Sequence, residues 1–259
     1  MNKYLRNILV YIITISLVLI LYKLFIVNTY FADKINTSYF IIDFSLKLSL
    51  FAVTVYLIKK NSFEFKKLNN NKIVTGLIII FLAYLSYKNV LSKGLEYGII
   101  ISYKNLFFYS LTNIFTGFFE EFFFRILIFG LVYKLISPKN LFLCTIITSL
   151  IFSLVHLENI FLSSYNISDV LFQIIAAFGI GLFFQLLVIN AKNIYFVGFL
   201  HALVNFNGML KKNFFNVSKV QEVSTGFDYE TLIILSILLI VSLLIAYFNL
   251  KNKKTLNFI

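Results

Sequence analysis

The chain has 259 residues, 60% of them hydrophobic and only 13% charged, against roughly 25% charged in an ordinary soluble domain. Its net charge of +12 does not mark a nucleic-acid binder, because the lysines flank apolar runs and suit anchoring at an anionic membrane surface. A single cysteine, Cys144, excludes an internal disulfide, and one proline and ten glycines leave long helices uninterrupted.

These properties predict an all-α, polytopic membrane helix bundle that forms one integral membrane domain over residues 1–259. A spanning helix needs about 20 predominantly apolar residues. Eight segments approach that length: Asn7 to Val27, Tyr39 to Ile58, Ile73 to Tyr87, Leu106 to Leu135, Leu141 to Leu157, Val170 to Ile189, Ile194 to Leu210 and Thr231 to Phe248. The first follows Lys3 and Arg6, as a signal peptide would. Its apolar run reaches Val27 with no clean small-residue cleavage site, so it reads as an uncleaved span. Lys23 and Lys47 fall within or beside the first two spans and read as side chains snorkelling to an interface. Asp43, near the start of the second, has no evident partner in the sequence.

Between spans the chain holds only short polar connections, such as Asn69-Asn70-Asn71. With the N-terminus inside, thirteen lysines and arginines fall in inside segments and seven in outside segments. Both termini are therefore expected on the cytoplasmic side of a cell membrane. The Asn-, Lys- and Ile-rich composition without targeting signals looks bacterial.

The core from about 106 to 210 carries the chemistry. Glu120, Glu121 and Arg125 stand in the middle of the fourth span. Each charge at membrane depth costs about 2.5–3.5 kcal/mol on insertion scales, so such residues face an interior and carry function. Glu121 and Arg125 are four apart with the acid first, the favourable order for a pair on one helix face. Glu120 is turned about 100° away and is left to face another group. An acid–base pair alone could equally be a structural lock between helices, but the second glutamate has no place in that reading.

In the next motif His156 lies four residues after Phe152, so the two share a face. A lone histidine near a helix end is commonly a satisfied core or interfacial residue. His201 and Asn205 are also one turn apart and could point into one cavity as donors for an oxyanion, or simply bond to a neighbouring helix. Together these positions use both histidines of the chain and the glutamates inside the spans. The run Phe118, Phe119, Phe122, Phe123 and Phe124 reads as helix packing and lipid contact rather than as the lining of a hydrophobic cleft. Cys144 reads as a small buried hydrophobe.

The ordered set Glu-Glu-x-x-x-Arg, Phe-x-x-x-His and His-x-x-x-Asn resembles that of the CAAX protease and bacteriocin-processing (CPBP, or Abi) family of intramembrane proteases, which includes the type II CAAX prenyl endopeptidases. Here the set is Glu120, Glu121 and Arg125; Phe152 and His156; His201 and Asn205. The resemblance implies an intramembrane endopeptidase in which Glu120 and His156 activate a water and His201 with Asn205 hold the tetrahedral intermediate. Glu121, Arg125 and Phe152 would orient the site. It favours a metal-free mechanism with no cofactor, although Glu120, His156 and His201 could supply three zinc ligands with an open fourth position. The expected partners are the lipid bilayer and a hydrophobic or membrane-anchored peptide: a pheromone, a bacteriocin leader or a signal-peptide remnant rather than a prenylated protein.

Two other classes compete. Some relatives of this family act in self-immunity, so a non-catalytic immunity protein or a scaffold for a peptide-signalling system is the alternative; the integrity of every motif position argues for the enzyme. A proton-coupled transporter would also need buried acids and histidines, but the chain lacks internal repeats and broken spans. No Gly-x-Ser-x-Gly elbow for a serine nucleophile is present. One geometric difficulty stands: in this topology Glu120 falls mid-span, His156 near the outer end of its helix and His201 closer to the inner side.

Overall fold

The computed structural model describes residues 2–27, 37–63, 84, 88, 103–136, 140–161, 167–191 and 193–208, with positions 240, 243, 244, 247, 248 and 250 near the C-terminus. Every element with described bounds is helical, and no strand occurs among the described residues. In lipid this is the simplest way for a linear segment to satisfy its own backbone groups.

Helix α1 (Lys3–Tyr22) continues into a π-helical turn at Lys23–Val27, and α2 spans Thr37–Lys60. Helix α3 (Tyr103–Glu121) runs without a break through a π-helical segment, Phe122–Ile128, into α4 (Phe129–Ile136). Helix α5 (Leu141–Val155) tightens into a 3-10 segment, His156–Phe161, followed by α6 (Ile167–Ala191) and α7 (Ile194–Gly208). Three helix starts use asparagine caps. Asn2 accepts from the Tyr4 amide at 2.9 Å, Asn140 from Leu143 at 3.1 Å and Asn193 from Phe196 at 3.1 Å.

Four of the described helices are long and apolar enough to cross a membrane: Lys3–Phe25, Ser38–Lys60, Leu141–Phe161 and Ile167–Asn190. The expected fourth span lies on the continuous α3–α4 rod, whose middle is occupied by Glu120, Glu121 and Arg125. The expected seventh lies on α7, which at 15 residues is shorter than a full crossing. The expected third and eighth spans, Ile73 to Tyr87 and Thr231 to Phe248, lie outside the described residues apart from isolated positions.

The α3–α4 rod is the axis of the bundle. α3 packs along α2 on one side and along α7 on the other, α5 packs along α6, and α1 reaches both α4 and the 3-10 segment. The α2–α3 seam is an aromatic ladder in which Phe44 and Phe51 lie 5.5 and 6.0 Å from the Phe115 ring, and Phe51 continues to Phe122 at 5.2 Å. Such edge-on pairs contribute about 0.5–1.5 kcal/mol each beyond the area they bury. The whole motif-bearing stretch from Glu121 to Leu131 is buried. Phe119, Phe122, Phe123 and Phe124 pack there between helices, and none of the four faces outward.

The α3–α7 seam is held differently, by small residues. A Cβ placed on Gly117 would lie 2.5 Å from the Gly198 carbonyl oxygen and 2.7 Å from the Ala202 nitrogen. The two backbones therefore touch. Gly198 and Ala202 are one turn apart on α7, the small-x-x-x-small spacing that lets membrane helices approach closely. His201 precedes Ala202, and Glu120 and Glu121 lie one turn beyond Gly117. This contact is what brings the two motifs together.

Candidate active site

Glu121 is the hub. Its side chain is wholly buried, and both carboxylate oxygens are used. Arg125 Nε donates to Oε2 at 3.1 Å, the intrahelical pair expected from the sequence. His201 Nδ1 lies 2.7 Å from Oε1, across the α3–α7 seam. A carboxylate only accepts, so Nδ1 carries the proton in this bond. The other ring nitrogen, Nε2, lies 3.3 Å from Glu120 Oε2. With His201 protonated on both nitrogens, the quartet of Glu120, Glu121, Arg125 and His201 sums to zero charge, which makes it tolerable in a low-dielectric interior.

The two glutamates thus divide their roles by rotation around one helix. Glu121 faces the closed interior. Glu120, about 100° away, keeps 19% of its side-chain surface exposed. The other group that the sequence left it to face is the same histidine, met from the other side.

Phe152 ties the second motif to the first. Its ring carries the Arg125 guanidinium at 4.7 Å from the centroid. It also stands edge-on to His156 at 5.1 Å and to His201 at 5.9 Å. Three of the motif side chains therefore converge on one aromatic ring. His156 caps the last turn of α5, with Nδ1 at 3.1 Å from the Phe152 carbonyl oxygen. A carbonyl also only accepts, so a proton sits on Nδ1, and in the neutral ring Nε2 carries a lone pair. No described contact joins His156 directly to Glu120, although each lies within the electrostatic field of the other. Asn205 stands one turn beyond His201 and is half-buried.

The depth difficulty raised by the sequence is resolved by packing. The Gly117 contact sets His201 level with the glutamates, and Phe152 sets the end of α5 level with both. A π-helical segment begins at Phe122, directly after the paired acids. Such segments are rare and recur at functional sites, because they shift the helix face that follows.

Sequence reading missed Gly117, Gly198 and Ala202, although their spacing around His201 was a usable signal. It also missed Phe184, whose ring packs against His201 from α6 at 5.3 Å. Lys23, read as snorkelling, instead turns inward to an ion pair with Glu158. As zinc ligands, Glu120, His156 and His201 fit poorly. Both nitrogens of His201 are turned to carboxylate oxygens, and no group of three His, Cys, Asp or Glu side chains converges on one point among the described residues.

No curated protein and no solved structure matches the chain. A family model does: residues 102–207 match type II CAAX prenyl endopeptidase Rce1-like proteins, a protease family. The matched segment begins just before α3 and ends within α7, so it takes in every residue of the site just described. Over residues 102–207 the chain is thus similar to this family, which supports its resemblance to the CPBP intramembrane proteases.

Proposed function

We propose that the chain is an intramembrane endopeptidase that hydrolyses a peptide bond of a hydrophobic or membrane-anchored peptide. The observation that carries this reading is His201 held between two carboxylates, with its Nδ1–H committed to Glu121 and its Nε2 side turned to the more exposed Glu120. A structural lock would need only Glu121 and Arg125.

In this mechanism a water sits between Glu120 and His156. Glu120 accepts one proton of the water as its oxygen attacks the scissile carbonyl, while the lone pair on His156 Nε2 accepts a hydrogen bond from the other O–H and orients it. The carbonyl oxygen becomes an oxyanion and takes hydrogen bonds from His201 Nε2 and the Asn205 amide. The 3.3 Å separation of His201 Nε2 from Glu120 is long for a charge-assisted bond, so this donor can be given up to substrate. The proton then passes to the leaving nitrogen as the C–N bond breaks. Glu121 and Arg125 fix the His201 ring, and Phe152 fixes the relation of both histidines. No metal or cofactor is required by these roles.

The substrate class follows from the setting, a site at the centre of apolar helices, and a pheromone precursor, bacteriocin leader or signal-peptide remnant fits it. A bacterial cell membrane with both termini cytoplasmic is the proposed location. The test is comparative peptidomics of host cells expressing wild type or Glu120→Gln at matched membrane levels. Peptide termini specific to the wild type are the expected result. Identical peptidomes, in a host with the native operon partners, would shift the reading to a non-catalytic immunity protein or scaffold.

A further inference from the structure

The first helix, outside the family-matched segment, sends one charged side chain into the protein. Lys23 stands where α1 passes into its π turn. Its Nζ donates to Glu158 Oε1 at 2.7 Å and to Asn159 Oδ1 at 2.6 Å. Asn159 Nδ2 in turn donates to Gln173 Oε1 on α6 at 2.7 Å. The lysine and glutamate side chains are each only 12% exposed. A continuous run of bonds therefore joins α1, the 3-10 segment and α6.

The place where Lys23 lands is informative. Glu158 and Asn159 belong to the 3-10 segment His156–Phe161, whose first residue is His156. Short 3-10 pieces have poorer hydrogen-bond geometry than α-helix and are soft points in a helix. The ring of His156 is held by its own helix through the Phe152 carbonyl, and by an edge-on contact with the Phe152 side chain. Its Nε2 therefore points wherever the turn from α5 into the 3-10 segment directs it. Lys23 anchors that turn from outside, at the second and third residues after His156. A buried ion pair contributes little net stability against its own desolvation, so a positional role accounts for it better than an energetic one.

We propose that Lys23 is a positioning residue of the proposed peptidase: its clamp on Glu158 and Asn159 fixes the direction of His156 Nε2. The first helix is then part of the catalytic unit and not only a membrane anchor. This inference rests on the endopeptidase reading for its kinetic consequence, but its geometric content can be tested separately.

The experiment compares Lys23→Met, Lys23→Arg and the charge-free double variant Lys23→Met/Glu158→Met with wild type. Kinetics use a peptide spanning the cleavage site found in the wild-type peptidome. Displacing a catalytic group by about 1 Å costs on the order of 10²-fold, so Lys23→Met lowers kcat by that order with KM nearly unchanged. Lys23→Arg keeps most of the activity. The double variant removes the stranded buried charge and regains the thermal midpoint, yet kcat stays low. Recovery of kcat together with stability in the double variant would show a merely structural pair and overturn the proposal.

A second readout needs no activity. The chain has two histidines, and His201 is 4% exposed with both nitrogens engaged, so diethyl pyrocarbonate reports on His156. Loosening the clamp speeds its modification several-fold in Lys23→Met. An unchanged rate overturns the clamp whether or not the wild type proves to be a peptidase.

Discussion

Replacing Gly117 by alanine adds one methyl group to the most crowded point between α3 and α7. In an unencumbered helix that change stabilises by about 0.5–1 kcal/mol, because glycine is the poorer helix former. Here the new Cβ would lie 2.5 Å from the Gly198 carbonyl oxygen and 2.7 Å from the Ala202 nitrogen, closer than the 3.0 Å that real Cβ contacts respect. Both obstacles are backbone, so no rotamer change relieves them. The helices must separate by about 0.5–1 Å, and overpacking of this kind costs roughly 1–3 kcal/mol. The separation falls on the adjoining 2.7 Å bond between His201 and Glu121 and stretches it to the edge of the hydrogen-bonding range. A displacement of that size lowers turnover by about 10²-fold. The assay pairs thermal unfolding in detergent with product formation at matched protein levels. Gly117→Ala should lose both. A thermal midpoint at or above that of the wild type, with full activity, would refute the close-contact account of how the site is assembled.

Gly130→Ala offers a contrast: its Cβ would meet the Phe63 ring at 2.6 Å, a side chain able to shift, so the midpoint falls less than in Gly117→Ala. Arg125→Leu strands the buried Glu121 carboxylate and should destabilise by about 3–5 kcal/mol, measured by denaturant unfolding; a loss below about 1 kcal/mol contradicts the buried pair. Phe152→Leu keeps the volume roughly but removes the ring shared by Arg125, His156 and His201, so product formation should fall about tenfold or more with modest loss of stability. Chelators should leave peptide processing intact; abolition by chelator with recovery on added zinc would make Glu120, His156 and His201 ligands after all.

Much of this protein was written locally in its sequence. Apolar runs marked the described helices, and the four-residue spacing of Glu121 and Arg125 gave an ion pair that the structure contains at 3.1 Å. The ordered motifs singled out Glu120, Glu121, Arg125, Phe152, His156 and His201, which the structure brings together, and residues 102–207 are similar to a protease family. These features depend on one helix at a time, where periodicity and spacing translate directly into geometry.

What one helix cannot specify is its neighbour. In α1, Ile8, Ile15 and Leu19 are buried while Leu9, Ile13 and Leu17 are 43%, 62% and 53% exposed, although all are aliphatic. A membrane helix is apolar on every side, so hydrophobicity does not tell its inner face from its lipid face, and small residues decide which helices can meet. That is why the second partner of Glu121, the partner of Glu120 and the inward turn of Lys23 came only from the tertiary structure. The sequence by itself determined which ionisable groups each helix would carry. The close approach of α3 and α7 at Gly117 decided which of them would touch, because only where two backbones meet without intervening side chains can His201 reach both glutamates.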